Sequence, residues 1–570
     1  MKNNFKTTVY IIVTIICFGI NVQVKSQKSE LILPESSGED ITILSDRSMY
    51  AVNEEIYFSC IYNVSLLLPV DQWSSVMYAE LIGWDGVKYG QTKVSIQNGL
   101  ASGSIDIPEG LKSGYYYLRA YTRWMRNYDP LAYAHVPLKI INPASEELYP
   151  GRNGHEESSD INYYTLKKQD ELKMRIDGLK SEYNKREEVL IEFQIDKLPE
   201  NLRMIASVIP ANLPVQAGGY FQTKKPAEGG NQMIEYYPEK EGILLSAKVV
   251  NKISREPAAG MKVTLSSFTD AFYFGATTSD ETGMVFFNLP TYHGENEFYI
   301  VPEGERKDSV DILVNSDYCQ KSVSLPFISF ELTDEENQLM QQIAINAQLM
   351  HKFDTSNNAY FSNPEFKHPF YGEPYAVTYT DEFIRLKNLK EFYYELVPSV
   401  SVMSFNKNPF LFIHSETSLR AYPPLILIDN IPVYNDVEML SIPSNMIERI
   451  ELVNGGYIVG QYKYSGVLSM YSKERDIANY KLPENSYFFN YSMFDADKFS
   501  APEYNSGPSD SRFPDLRNTL YWNPDVDISE NGSGELKFYT SDVQDEYRIL
   551  LRGLTEDGKL MVFSSTFVVK

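Results

Sequence analysis

Apolar and polar residues alternate along most of this 570-residue chain. Residues 41–64 alternate around a turn centred on Val52-Asn53, which predicts two strands of a half-buried sheet. A second alternating stretch surrounds Asn98-Gly99, a dipeptide that favours a hairpin, and residues 114–127 have the pattern of a further strand. Together these segments predict a β-sandwich over residues 41–143.

A short motif near the start of this segment supports the assignment. Asp46, Arg47 and Tyr50 form an Asp-Arg-x-x-Tyr pattern just before the turn at Val52-Asn53. The segment resembles the macroglobulin-type sandwich domains of alpha-2-macroglobulin-like proteins, in which such a pattern opens the strand pair. Residues 118–127, LRAYTRWMRN, are similar to the version found in secreted proteins of the Bacteroidetes. The resemblance implies an immunoglobulin-like sandwich.

Two further sandwiches are predicted between residues 161 and 319. After a polar linker, residues 161–237 contain three strand-like runs. Residues 238–319 alternate around a loop at Pro257–Gly260 and a turn at Asp280–Gly283, as in a small Greek-key sandwich whose first hairpin runs from Val249 to Leu265. This last segment resembles the carboxypeptidase regulatory-like, transthyretin-like domain, which accompanies peptidases without being one.

Residues 330–400 break the β pattern and predict a helical connector. Thr333 and Glu336 form a capping box before apolar residues at helical spacing. Thr380-Asp381 is predicted to open a second helix, with apolar residues on one side at Phe383, Leu386, Leu389 and Tyr393.

Residues 401–476 predict a small α+β domain. Strands are predicted over Leu425–Ile428, Ile431–Val433, 446–455 and 464–473, with a short helix over Val437–Leu440. The order resembles the plug domain of TonB-dependent receptors, whose pattern Asp429, Gly466, Val467 and either Glu448 or Glu451 match. Asn430 stands where that family has Gly, but Asn tolerates the left-handed backbone that the turn requires.

The remainder of the chain is too short for a receptor barrel. Only 94 residues follow Asp476, whereas a barrel of about 22 strands needs more than roughly 200 residues. We therefore expect a plug-like fold used as a soluble module. Residues 477–570 alternate across an Asn531-Gly532 turn and predict a C-terminal sandwich. This segment again resembles the macroglobulin type, in the region where Tyr521-Trp522-Asn523-Pro524 precedes an Asp-rich hairpin. The predicted fold class is mainly β: tandem immunoglobulin-like or macroglobulin-like β-sandwiches plus a small α+β plug-like domain.

Residues 1–26 have the pattern of a secretory signal. Two lysines precede an apolar run over residues 9–20, and Val24-Lys25-Ser26 is a small-residue cleavage site. The run of about 12 residues is shorter than the roughly 20 that span a bilayer. We expect an exported protein, periplasmic or associated with the outer membrane, with no transmembrane segment once the signal is removed.

Charge excludes one class of partner. The whole chain has 52 basic and 76 acidic residues, and removal of the three lysines of the signal leaves a balance of -27. That much negative charge repels phosphate backbones, so nucleic acid is excluded as a partner.

No motif in the sequence indicates catalysis, a cofactor or a metal. Cys60 and Cys319 are predicted to lie in different domains, either as buried hydrophobes or as a bridge, and neither begins a Cys-Gly-Glu-Gln thioester. His155 and His414 lack the second histidine of a zinc motif. Residues 525–535 lack the glycine of a calcium loop and predict a polar hairpin.

These observations predict a non-enzymatic binding or scaffold protein of the cell envelope. Its partner would be an envelope protein, with an outer-membrane barrel receptor as one form. The alternatives are an accessory component of TonB-dependent transport that docks through the plug-like domain, and a hydrolase without a recognisable motif. The candidate partner contacts are Tyr434, Tyr457 and Tyr462, since Tyr gives large contact area at low entropic cost, and their alternative role is core or rim packing.

Overall fold

The computed structural model describes residues 38–64, 73–149, 169–214, 234–267, 273–304, 306–353, 368–397, 399–415, 417–495, 499–504 and 513–570. The predicted signal over residues 1–26 lies outside these ranges. Within them, no helix is both long and apolar enough to cross a bilayer. The predicted mainly β fold of tandem sandwiches with a small α+β unit is confirmed.

The first sandwich occupies residues 38–149. Its two sheets have the strand orders β1-β3-β6 and β2-β8-β7-β4-β5, and their inner faces pack together around buried tyrosines and aliphatic residues. Its strands are β1 (Glu39–Ser45), β2 (Met49–Ala51), β3 (Glu55–Val64), β4 (Val76–Ile82), β5 (Lys88–Ser95), β6 (Leu100–Asp106), β7 (Gly114–Tyr121) and β8 (Ala134–Ile141).

Two local predictions in this sandwich need correction. Asn98 and Gly99 form a tight turn with φ of 51° and 77°, closed by two hydrogen bonds between Gln97 and Leu100. However, the turn does not form a hairpin, because β5 and β6 continue into different sheets. The strand predicted over 114–127 ends at Tyr121 and is followed by a 3-10 helix over Trp124–Asn127.

The second sandwich is built from two distant parts of the chain. Its first part comprises β9 (Gln169–Glu171), β10 (Met174–Asp177), β11 (Glu182–Tyr183), β12 (Glu188–Ile195) and β13 (Arg203–Pro210). Its second part follows far downstream as β30 (Tyr521–Asn523), β31 (Ser533–Tyr539), β32 (Glu546–Leu554) and β33 (Leu560–Val569). The sheets are β10-β12-β31 and β11-β33-β32-β13-β30, and β9 also pairs with β33.

This pairing corrects the predicted domain organisation. The segments 161–237 and 477–570 were predicted as separate sandwiches, but strands from both form one sandwich. β12 pairs with β31 from Glu188 opposite Tyr539 to Gln194 opposite Ser533, and their inner faces share one core. Alternation identifies strands and buried faces, but it contains no information about which strand is the partner.

The third sandwich begins within the predicted range of 238–319. Its strands are β14 (Leu244–Asn251), β15 (Lys262–Ser267), β16 (Phe274–Thr278), β17 (Met284–Asn288), β18 (Glu295–Glu303) and β19 (Val310–Val314). The sheets are β17-β14-β19 and β16-β15-β18-β29, where β29 (Tyr487–Ser492) comes from much later in the chain. The predicted Val249 to Leu265 hairpin is instead a crossing between the two sheets, since β14 and β15 do not pair.

The capping box is confirmed, but the second predicted helix starts elsewhere. Helix α1 (Asp334–Phe353) follows Thr333, whose side chain accepts from the Glu336 amide at 3.2 Å while the Glu336 carboxylate accepts from the Thr333 amide at 3.0 Å. Thr380-Asp381 opens only a 3-10 turn. Helix α2 (Leu389–Glu395) begins at the N-cap Asn388, whose side chain accepts from the Glu391 amide.

Residues 368–482 form an α+β unit that we call the plug-like unit, after its sequence resemblance. Its main sheet has the order β20-β25-β28-β23-β24, and β21-β22 and β26-β27 are separate hairpins. The elements are β20 (Ala376–Tyr379), β21 (Val400–Phe405), β22 (Asn408–Ile413), β23 (Leu425–Ile428), β24 (Ile431–Pro432), α3 (Asp436–Ser441), β25 (Ile447–Val453), β26 (Tyr457–Val459), β27 (Tyr462–Tyr464) and β28 (Val467–Ser472).

The strands and the short helix predicted over 425–473 are confirmed within a few residues. The unit starts earlier than the predicted boundary at 401, because β20 pairs with β25 and α2 packs into the core of the unit. The residues predicted as a helical connector, 330–400, therefore form helix α1 and the first part of the plug-like unit.

The units are nested within one another. The second sandwich is interrupted after β13 by the third sandwich, which is interrupted after β19 by the plug-like unit. The chain then completes the third sandwich with β29 and the second sandwich with β30 to β33. The chain thus completes these units in the reverse of the order in which it begins them.

The Asp-Arg-x-x-Tyr motif lies where the first and second sandwiches meet. The Tyr50 hydroxyl donates to Asp46 Oδ1 at 2.6 Å, and the Thr519 hydroxyl donates to Asp46 Oδ2 at 2.8 Å. Arg47 Nη2 donates to Glu54 Oε1 at 2.9 Å, and Asn518 Nδ2 donates to the same oxygen at 2.6 Å. We call these groups the Asp46–Glu54 network. Its charged side chains are almost fully buried.

We predict that Arg47→Ala destabilises the mature chain by about 3–5 kcal/mol, because it leaves buried carboxylates without their partner. The matched control is Arg175→Ala, whose ion pair with Asp196 at 3.7 Å is 76% and 52% exposed and should contribute about 0–1 kcal/mol. Urea unfolding followed by tryptophan fluorescence measures both. Equal small losses in the two variants would show that the network does not hold the sandwiches together.

A second buried carboxylate connects the first and third sandwiches. The Tyr78 hydroxyl donates to both oxygens of Glu239, at 2.9 and 2.8 Å, and the Leu244 amide donates to Oε1 at 2.8 Å. Burial raises the pKa of Glu239 from 4.5 to about 7, with Asp317 raising it further and Arg123, 3.9 Å away, lowering it.

Because its pKa is higher in the folded chain, Glu239 contributes stability that is complete below about pH 4.5 and is lost as the pH rises through about 7. Glu239→Gln keeps the neutral form at every pH. We predict that the variant gains about 1–3 kcal/mol relative to the wild type between pH 4.5 and 7.5. Urea unfolding at a series of pH values tests this, and a difference that does not change with pH would contradict it.

Both cysteines of the described residues are buried and free. Cys60 lies on β3, and the sulfur of Cys319 accepts from the Tyr133 hydroxyl at 3.4 Å. Burial raises the pKa of the Cys60 thiol far above its usual range. The structure therefore shows the two cysteines as buried hydrophobic side chains and not as a disulfide bridge.

Candidate binding cleft

A cleft of about 680 Å³ opens where the plug-like unit meets the third sandwich. Lys262 of β15 and Glu303 of β18 come from the sandwich, and the other walls come from β22, α3 and the loop before β23. Arg420 and Asp436 supply charge. The aromatic and proline residues of the walls are Phe410, Phe412, Tyr422, Pro423, Pro424, Pro432, Tyr434 and Tyr464. We call this site the aromatic cleft.

Lys262 connects the two units at one side of the cleft. It lies opposite Glu303 across the β15–β18 pair, and its Nζ is 2.6 Å from Glu303 Oε2. The same Nζ donates to the Tyr464 hydroxyl at 3.3 Å and lies 4.7 Å from the centre of the Tyr462 ring. Burial disfavours the charged form, yet Glu303 and Tyr464 together raise the pKa of Lys262, so the lysine stays protonated.

The turn between β23 and β24 positions the loop that carries Tyr434. Asp429 and Asn430 have φ of 47° and 67°, which confirms that the Asn adopts the left-handed conformation. The buried Asp429 carboxylate accepts from the amide of Ser472 at 2.8 Å and from that of Ile477 at 2.9 Å, and it also bonds the Ser472 hydroxyl. The side chain therefore joins the turn to the end of β28, and its role here is structural.

The structure brings the three candidate tyrosines to the same face of the plug-like unit. Tyr434 lines the cleft, and its hydroxyl is 3.0 Å from that of Thr264 on β15. Burial, with Glu303 as the next cause, raises the Tyr434 pKa well above its usual value. Tyr462 lies outside the cleft lining, with its hydroxyl 2.6 Å from that of Thr278 on β16.

Tyr457 lies beside this pair on β26, where its ring centre is 6.1 Å from that of Phe370. All three side chains are half-buried. Tyr434 and Tyr462 thus contribute to the packing between the plug-like unit and the third sandwich. Whether any of the three contacts a partner stays a prediction.

Sequence reasoning missed most of the cleft. Lys262 and Glu303 alternate with apolar neighbours in a predicted sheet, so nothing marked them as part of a site. The Pro423-Pro424 dipeptide with Tyr422 before it was the available signal, because adjacent prolines fix an extended, non-helical backbone beside an aromatic ring.

The lining of the cleft presents aromatic, proline and charged side chains. No group of three or more metal-ligating side chains occurs in the described part of the chain. Near the cleft, Ser401 Oγ and His414 Nε2 are 2.7 Å apart on β21 and the end of β22, which is the distance of a nucleophile and its base. Both groups face solvent, and no described acid is bonded to the other ring nitrogen of His414.

No protein-family model matches the sequence, and no curated protein matches it. Among solved structures, a Salmonella alpha-2-macroglobulin reacted with methylamine aligns with 93% of this chain and 39% of its own, at 10% identity and a TM-score of 0.23. The native Escherichia coli alpha-2-macroglobulin aligns with 95% and 40%, at 9% identity and a TM-score of 0.23. The Yersinia pseudotuberculosis adhesin InvE aligns with 53% and 66%, at 12% identity and a TM-score of 0.13.

The chain thus spans about two fifths of the length of these macroglobulins. TM-scores in this range are too low to establish a shared fold or to support a function.

We predict that Asp429→Ala destabilises the plug-like unit by about 0.5–2 kcal/mol, as the loss of a capping side chain does, because the amides of Ser472 and Ile477 lose their acceptor. Binding by the aromatic cleft should persist in the folded fraction. Asp381→Ala is the control, since Asp381 is 78% exposed and its ion pair within the described ranges is the one with Lys473. Thermal unfolding of the two variants decides the matter, and an unchanged midpoint for Asp429→Ala would refute the structural role.

Proposed function

We propose that this chain is a non-enzymatic binding or scaffold protein of the cell envelope, which recognises a protein or ligand at the periplasmic or outer-membrane face. The observation that carries the proposal is the aromatic cleft, whose walls come from two units fastened together by Lys262. A volume of about 680 Å³ lies in the range of roughly 300–1,000 Å³ that is usual for ligand pockets. The predicted signal over residues 1–26 supports export.

The walls define the class of ligand. Aromatic rings and prolines provide rigid apolar surface, which favours an apolar or aromatic body. Arg420 and Asp436 offer one positive and one negative group for orientation. The fitting ligand is an uncharged or zwitterionic molecule, or a protein segment, that presents an apolar group to the cleft.

A second function is favoured by the distribution of exposed apolar surface. Half of the large apolar side chains that are exposed in the described residues belong to the plug-like unit, although it is a minor part of the chain. This distribution favours the accessory role in TonB-dependent transport, with the plug-like unit docking onto a barrel receptor. The exposed residues are Tyr375, Val377, Tyr379, Phe383, Ile384, Tyr394, Met403, Phe405, Tyr422, Val437 and Ile458.

The test is a quantitative pull-down from the native envelope with the mature chain and two tyrosine variants. Tyr422→Ser removes a cleft wall that is 42% exposed, while Tyr237→Ser removes a ring that is 49% exposed elsewhere. We expect the partner to be recovered by the wild type and Tyr237→Ser, and to fall by about tenfold or more with Tyr422→Ser.

Recovery of a barrel protein would favour the transport role. Equal recovery by all three chains would show that the aromatic cleft is not the recognition site.

A further inference from the structure

The main sheet of the plug-like unit has two very different edges. At one edge, β24 is covered, because Tyr434 just beyond it bonds to Thr264 of the third sandwich. At the opposite edge lies β20, which pairs only with β25 among the described residues. Its outer row of backbone donors and acceptors is therefore open to a further strand.

Side chains at this edge are apolar where an edge strand is usually protected by charge. Tyr375, Val377 and Tyr379 alternate along one face and are 68%, 42% and 46% exposed. On the other face, a groove of about 410 Å³ runs beside Ala376 and Thr378 and is closed by Ile450 and Leu452. A strand added beside β20 would place alternate side chains against the exposed apolar row and into this groove.

Charge decides what kind of strand fits. Residues 373–382, EPYAVTYTDE, contain no basic residue and three acids, with Glu373 at one end and Asp381 and Glu382 at the other. All three acids are exposed, and only Asp381 has a described ion pair, with Lys473 at 2.6 Å. The free edge is thus an apolar stretch flanked by negative charge at both ends.

A second copy of the chain is a poor occupant. Antiparallel pairing of two β20 strands about Val377 would bring Glu373, just before the strand in one copy, towards the 3-10 turn that carries Asp381 in the other, twice in each dimer. Like charges brought together in this way repel each other. A strand with a positive residue at each end meets attraction at both places.

We propose that β20 is a docking edge for an extended segment of another protein, which adds to the sheet as a strand with an apolar centre and a Lys or Arg at each end. Backbone hydrogen bonds to β20 provide the register, the groove takes apolar side chains, and the flanking acids select the basic ends. The edge lies across the sheet from the aromatic cleft, so Tyr422→Ser should leave it unaffected.

The experiment uses the full mature chain and two fluorescent peptides of alternating Val and Thr, one with Lys at both ends and one with Glu at both ends. Fluorescence anisotropy should show that the Lys-ended peptide binds about three- to tenfold more tightly, with the preference declining as salt screens the charges. Val377→Lys should weaken binding about tenfold or more, because it places a charge in the apolar row.

Ile253→Lys is the matched control, at a side chain that is 95% exposed in the third sandwich, and it should bind like the wild type. The double variant Glu373→Lys with Glu382→Lys should reverse the preference between the peptides. Near-ultraviolet circular dichroism verifies that each variant is folded.

Three results would overturn the proposal. Equal affinity for the two peptides would remove the role of the acids, and unchanged binding by folded Val377→Lys would place the peptide elsewhere. A dimer of the free chain that dissociates in Val377→Lys, measured by sedimentation, would assign the edge to a second copy.

Discussion

The fold depends on the return of the chain to sheet edges that it left open hundreds of residues earlier. β12 presents Val189, Ile191 and Phe193 on one face, where they share a core with Leu536 and Phe538 of β31. The final strands of the chain therefore complete the sheets and the core of the second sandwich. Contacts between residues so far apart in the sequence carry a cost in chain entropy, because a long loop must be closed before they form.

Nesting also explains why a cleft exists. The plug-like unit enters the third sandwich after β19 and leaves it at β29, so both of its connections are attached to the same partner. Side chains such as Lys262 then fasten the two surfaces at the base. The two units, held in this way with aromatic and proline residues between them, form a concave surface of the kind that a ligand site requires. The tyrosines that make these contacts between the two units belong to this chain itself.

Sequence patterns predicted the local structure of the plug-like unit closely. The Asp429-Asn430 turn, the helix at α3 and the strands β25 and β28 all follow from period and turn chemistry. The predictions that were wrong concerned which strands pair with each other. Asn98-Gly99 has the conformation of a hairpin turn, but its flanking strands separate into two sheets, a choice made by the core on each side. Because strand partners could not be predicted, the two parts of the second sandwich were assigned to separate domains. For the same reason Lys262 was not included in the predicted site.

The nested fold depends most on the pairing of β12 with β31, and a cysteine cross-link tests this pairing. Leu190 and Lys537 are directly opposite in the register, and both are exposed on the outer face of the sheet. Cysteines at directly opposed positions of an antiparallel pair lie within the roughly 4.4–6.8 Å between Cα atoms that a disulfide requires. Mass spectrometry of the oxidised Leu190→Cys/Lys537→Cys chain should find the two peptides joined in most molecules. If they join no more often than in Leu190→Cys/Lys559→Cys, the two segments belong to separate domains and the nested fold is wrong.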